Sequence, residues 1–430
     1  MLDLRKTKTS IAALLRTRIA RNLAWLAGAD VATRAVRLLS VAIVARILGP
    51  EAFGVAALLL SSHELVKVGA QIGTGQSIIR AHADELEAVS KASWQLNILV
   101  CAVLAGIQLA IGWMVGGATG HVSAPYLGMA LALVFLGMPL GLVHVFRALR
   151  DERADEVARI AAAQNIADCV LTVVLALAGA GVWALVLPKV LTMPIWLVCV
   201  RRLVKWQPQR EVQAAAWGPI LKFGLPILGS EALAAVRLNL DKPIIGAVLG
   251  VEAAGLWYLA TSAGLGLTQA VSSAFSLILM PFLCKDEEGQ SRRERFDRFA
   301  WTALPALTAV FVVQAVAAPL YVPILFGNRW DGAVAIVAVL CLTGAPRLLW
   351  ESVVQLARSE GRSGAEFAGN ALIGTAALLA LLAGAQLSLL AAAIALAAVT
   401  GGAQLILSIC LRFVGLQMTP SSQTKELQHA

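Results

Sequence analysis

A chain of 430 residues with 59% hydrophobic and only 14% charged residues holds well under the charge of an ordinary soluble domain, which is about a quarter, and this excludes a water-soluble globular protein. The formal net charge of +9 does not indicate nucleic acid, because in a membrane protein the basic residues gather in the loops on one side of the bilayer, and here they do. A hydrocarbon core about 30 Å thick takes about 20 apolar residues per helix, so some twelve spans with short loops use up the chain and leave no room for a sizeable soluble domain.

The N-terminal segment 1–23 carries Arg5, Lys6, Lys8, Arg16, Arg18 and Arg21 and has neither the compact apolar core nor the small-residue cleavage site of a signal peptide. With Leu4, Ile11, Leu14, Leu15 and Ile19 interleaved, it reads either as a helix lying on an anionic leaflet or as a plain basic flank. Apolar stretches follow at 24–47, 52–79, 92–116, 124–147, 157–179 and 181–201, then at 219–247, 252–283, 299–321, 332–356, 364–386 and 388–411. Every second loop is basic, holding Arg80 and Lys91, Arg147 to Arg159, Arg201 to Arg210, Lys285 to Arg298, Arg358 and Arg362, and Arg412, whereas the opposite loops hold only Arg329. That asymmetry predicts cytoplasmic N- and C-termini and an even number of spans.

Leu48-Gly49-Pro50-Glu51-Ala52-Phe53-Gly54 recurs as Leu249-Gly250-Val251-Glu252-Ala253-Ala254-Gly255 about 200 residues later. Each copy falls in the turn between the first two helices of a six-helix unit. The expected fold is therefore an all-α integral membrane protein of about twelve transmembrane helices in two pseudo-symmetric six-helix lobes, 24–202 and 219–413. A basic linker, 203–218, joins them, and a cytoplasmic tail covers 414–430.

Charged residues inside the spans carry the functional expectation. Arg34, Arg37, Lys67, Arg237, Lys242 and Arg347 lie within apolar stretches, where each lipid-facing base costs about 3 kcal/mol on an insertion scale. They should therefore face a protein interior or a wet cavity. Acids stand at helical spacing from them: Asp30 four before Arg34, Asp241 four after Arg237, Glu351 four after Arg347, and Glu64 three before Lys67. The surplus of bases suits an anionic ligand such as a pyrophosphate, with the four acids balancing charge or carrying a coupling ion. The bland alternative is a set of buried ion pairs that fix helix packing.

Signatures of catalysis are missing. His63-Glu64-Leu65-Val66-Lys67 lacks the second histidine of a zinc-protease helix, the six cysteines form no CxxC, and no P-loop lysine or Gly-x-Ser-x-Gly elbow occurs. The chain reads as a non-enzyme without metal or cofactor, driven by a proton or sodium gradient, the membrane potential or the substrate gradient.

Four segments carry a family resemblance: Ala45-Arg46-Ile47-Leu48-Gly49-Pro50-Glu51-Ala52-Phe53-Gly54; Leu221-Lys222-Phe223-Gly224-Leu225-Pro226; Asp241-Lys242-Pro243-Ile244-Ile245-Gly246 with Gly255-Leu256-Trp257-Tyr258; and Leu325-Phe326-Gly327-Asn328-Arg329-Trp330. In order and spacing they resemble the Wzx-type oligosaccharide and polysaccharide flippases of the multidrug/oligosaccharidyl-lipid/polysaccharide (MOP) exporter superfamily. The resemblance implies a bacterial inner-membrane flippase for an undecaprenyl-pyrophosphate-linked oligosaccharide in O-antigen, capsule or exopolysaccharide synthesis. It further implies alternating access around a central cavity, with a polysaccharide polymerase and glycosyltransferases as partners and no nucleic acid. The competing expectations are a cation-coupled drug or metabolite antiporter, for which a more acidic or aromatic cavity is expected, and a non-transporting membrane scaffold.

Overall fold

The computed structural model describes residues 33, 34, 36–284, 292–360 and 363–417, which form helices and no strand. Asp30, the basic segment 1–23 and the tail from 418 onward lie outside the described residues. We number the helices α1 (36–47), α2 (Pro50–Lys67), α3 (Thr74–Arg80), α4 (Leu86–Thr119), α5 (Ala124–Gly137), α6 (Pro139–Arg150), α7 (Ala154–Leu177), α8 (Trp183–Leu191) and α9 (Met193–Leu203). The second half holds α10 (Trp217–Asn239), α11 (Asp241–Leu249), α12 (Val251–Cys284), α13 (Arg292–Phe326), α14 (Asp331–Leu342), α15 (Gly344–Ser359), α16 (Ser363–Ala385) and α17 (Leu389–Gln417).

Among the described residues nine helices are long and apolar enough to cross a membrane, or ten with the pair α5 and α6, which bend by 47°. All eleven apolar stretches from 52 onward are helical. The expected count of twelve is not reached: most of the first stretch, 24–47, lies outside the described residues, and α12, which covers the stretch 252–283, is not one of the ten. Several spans are broken where proline falls. Pro139, Pro194, Pro243 and Pro346 each sit within the first three residues of a new helix, where the missing N–H had no intrahelical acceptor to lose. Side chains such as Trp113, Val316, Leu379 and Ile406 stand exposed around the outside, as a lipid-facing surface requires.

The two copies of the repeat meet back to back. A Cβ on Gly54 would stand 1.9 Å from the carbonyl oxygen of Val251, and one on Gly255 only 1.8 Å from that of Pro50. The backbones of α2 and α12 thus touch at a pair of glycines, the close approach that small residues permit between membrane helices. Around this crossing the end of the molecule is sealed. The Phe53 ring meets Trp330 edge-on at 5.1 Å, Trp330 Nε1 donates to the Ala45 carbonyl at 2.9 Å, and Leu48, Ile245, Trp257 and Phe326 complete a buried cluster drawn from both halves. Arg46, near a helix end, donates to the carbonyls of Leu325 and Ile324.

The basic loops gather at the other end. Glu87 accepts from Arg147 at 2.7 Å and from Trp206 Nε1 at 2.9 Å, while Lys91 Nζ donates to the carbonyls of Gln209 at 2.9 Å and Val212 at 2.8 Å. These bonds tie the segment between the halves to the first half. Helix α10 continues the attachment: Ile220 packs with Ala92 and Leu96, and a Cβ on Gly224 would lie 1.8 Å from the Ile72 carbonyl oxygen. Lys91→Met strips the segment of its clamp at a partly exposed site, so we expect trypsin cleavage at Arg210 to speed up several-fold. Export should stay within about twofold, as fits a cost near 1 kcal/mol. Unchanged digestion would show that Trp206 and Glu87 hold the segment alone.

Candidate functional site

Between these ends the interior charges fall into two clusters, one in each half. In the first, Lys67 and Glu64 pair at 2.5 Å along α2, and His63 is buried against Phe135 with ring centroids 4.7 Å apart. Lys189 of α8 reaches Asp168 of α7 at 2.7 Å. The second carboxylate oxygen of Asp168 is buried with no hydrogen-bond partner. Arg37 of α1 lies in electrostatic range of both Asp168 and Tyr258, and Glu64 feels Lys189 as well as Lys67. Three bases, Arg37, Lys67 and Lys189, thus share two acids.

Sequence spacing missed half of this cluster. Asp168 and Lys189 have no opposite charge three or four residues away along their own helix, and Lys189 reads as a residue near a span end that snorkels. Their partnership forms only when the turn after Leu177 folds α8 back along α7. The available signal was that each is a lone charge within an apolar stretch.

The second cluster joins α10 and α15. Arg347 pairs with Glu351 at 2.8 Å across one turn, as the spacing predicts. Arg237 lies in electrostatic range of both, but makes no hydrogen bond or close ion pair among the described residues. The expected Arg237–Asp241 pair does not form, because the helix breaks at Leu240 ahead of Pro243 and the two residues belong to different helices. Asp241 instead takes Lys242 at 2.8 Å and Trp257 Nε1 at 2.8 Å, which makes Asp241 and Lys242 a close ion pair beside Trp257. Arg34 donates to Gln269 of α12 at 3.3 Å.

Among the described residues the first cluster sets Arg37, Lys67 and Lys189 against Glu64 and Asp168, and the second sets Arg237 and Arg347 against Glu351, one more base than acid in each, with Arg34 and the Asp241–Lys242 pair outside both. No group of three or more His, Cys, Asp or Glu side chains that could hold a metal ion occurs among the described residues. An interior with surplus guanidinium and ammonium groups attracts anions and repels cationic drugs.

Solved structures share this architecture. An inward-facing multidrug resistance MATE family transporter of the MOP superfamily superposes with a TM-score of 0.68 at 14% identity, over 90% of this chain and 96% of the other. The lipid II flippase MurJ in an inward closed conformation superposes with a TM-score of 0.75 at 9% identity, over 92% and 88%. The fold is thus of the multi-pass helical membrane class that these two proteins share.

Within that class the chain belongs to the polysaccharide biosynthesis protein family, whose model matches residues 43–335. Among its relatives, the succinoglycan biosynthesis transport protein ExoT of Rhizobium meliloti is 22% identical over 76% of this chain and 66% of its own length. The lipopolysaccharide biosynthesis protein WzxC of Escherichia coli is 23% identical over 83% of this chain and 73% of its own. The chain spans about two thirds to three quarters of the length of these two proteins.

Proposed function

We propose that this protein carries a polyprenyl-pyrophosphate-linked oligosaccharide across the bacterial inner membrane, with its basic loops and both termini on the cytoplasmic side. The observation that carries the reading is the surplus base in each interior cluster of a MOP-type bundle. A pyrophosphate crossing a low-dielectric interior needs compensating charge, and arginine offers bidentate donors for it. The family membership and the polysaccharide-assembly roles named for its relatives support the same substrate class. The two halves rock about the crossing of Gly54 and Gly255, so that the clusters face one leaflet and then the other. Partners are the polymerase and glycosyltransferases that make and consume the repeat unit, and the driving force is a coupling proton, sodium ion or the membrane potential.

The test is to neutralise Arg37, Lys67, Arg237 and Arg347 singly and measure polymer output at matched expression. A lost charge-assisted hydrogen bond costs about 1.5–3 kcal/mol, so output should fall about tenfold or more in the arginine variants, with lipid-linked repeat units accumulating on the cytoplasmic leaflet. Wild-type output from all four would overturn the proposal.

A further inference from the structure

A crevice of about 260 Å³ runs between α10 and α16, lined by Ser230, Leu233, Ala234, Val236 and Arg237 on one side and by residues from Glu366 to Leu378 on the other. The lining residues recur at three- and four-residue intervals on both helices, so one face of each helix is turned toward the other. The two stripes close at one point, where Gly374 leaves room for the Arg237 stem: a Cβ there would come within 2.7 Å of Arg237 Cδ.

The polar side chains of the crevice are already engaged. Ser230 Oγ donates to the Pro226 carbonyl and Thr375 Oγ1 to that of Ala371, each within its own helix. Asn370 Oδ1 accepts from Trp350 Nε1 at 3.1 Å, and Glu366 takes Arg358 at 2.7 Å. Arg237 stands apart, with no hydrogen bond among the described residues. Its charge lies in range of Glu351, but Arg347 already holds that carboxylate. The crevice therefore offers an apolar wall of Leu233, Ala234, Ala371, Phe367 and Leu378 beside one guanidinium whose donors are unspent. Leu233 and Phe367 are exposed on its rim, which leaves a side opening toward lipid.

An unpaired guanidinium next to a narrow hydrocarbon slot complements a molecule with an anionic head and an extended apolar chain. We infer that this crevice is the tail site of the transported lipid: the phosphate next to the prenyl chain bonds Arg237, and the first isoprene units lie between α10 and α16 while the chain passes out to the bilayer. This rests on the flippase reading and adds to it a lateral path for the tail. It gives Arg237 a role that Arg347, paired with Glu351, does not share.

The experiment uses the full chain in phosphatidylethanolamine nanodiscs and a polyprenyl phosphate with a diazirine on the isoprene unit nearest the phosphate. Illumination is expected to place adducts within residues 230–237 and 367–378. Ala371→Phe, which fills the slot, and Arg237→Gln, which removes the anchor, should each lower the yield about tenfold, a loss near 1.4 kcal/mol in binding, whereas Arg237→Lys should restore part of it. A phosphatidylglycerol bearing a diazirine in its acyl chain is the second arm, and equal labelling by it would overturn the inference by making the crevice a bulk-lipid contact. Specific adducts confined to other helices would overturn the tail site and leave the flippase reading standing. Absence of polyprenyl phosphate adducts on any helix would count against both.

Discussion

Gly255→Val is expected to abolish export, with polymer output below about a tenth of wild type at matched expression, because a branched side chain has no place to go. A single Cβ at that position already overlaps the Pro50 carbonyl oxygen at 1.8 Å, well inside the 3.0 Å that real contacts respect. Backbone cannot rotate out of the way as a side chain does, so α2 and α12 must part by more than an ångström. That separation pulls apart the seal made by Phe53, Trp257, Phe326 and Trp330, residues that are essentially fully buried. Gly54→Val should act likewise, since its Cβ meets the Val251 carbonyl oxygen at 1.9 Å. Gly255→Ala should fall between wild type and Val, because the strain rises with side-chain size. A cysteine placed at the buried Ala56, in a background without native cysteines, should react with an impermeant maleimide in the Val variant and be protected in wild type. Wild-type output from Gly255→Val would mean that the crossing plays no part in transport.

The repeated heptapeptide was legible in the sequence as a turn between two helices, and the structure keeps that reading. What spacing along one chain does not show is that the two turns lie against each other, because this contact joins Gly54 to Val251 across the whole first half. The helices themselves were plain from their long apolar runs, and the structure adds breaks just ahead of Pro139 and Pro346. The charged residues were read less well, for two separate reasons. Counting three or four residues found Glu64–Lys67 and Arg347–Glu351, which lie within unbroken helices. The same count failed at Arg237 and Asp241, because the helix breaks between them at Leu240, just ahead of Pro243, and it was blind to Asp168 and Lys189, which meet across a hairpin.

The Asp168–Lys189 pair separates two explanations of the interior charges. Asp168→Asn leaves Lys189 without its counter-charge. Breaking a buried pair this way costs about 3–5 kcal/mol, and the lower end applies because the Lys189 side chain keeps 33% of its exposure. We expect the purified variant to melt several degrees lower. Lys189→Met instead leaves the first cluster with two bases against two acids, so an anion loses its net attraction and export should drop about tenfold. The double variant removes one charge of each sign. It relieves the stranded charge and restores the surplus of one base, now carried by Arg37 and Lys67 against Glu64. Thermal stability should then return to near wild type, because replacing both partners of a buried pair is often neutral, and the two changes couple strongly since the residues touch. Export should recover with it to within about threefold of wild type if the net charge of the cluster is what holds the substrate. Should the double variant regain its stability yet transport no better than Lys189→Met alone, Lys189 would have to contact the head group itself, and the site would be defined by that lysine and not by the balance of charges around it.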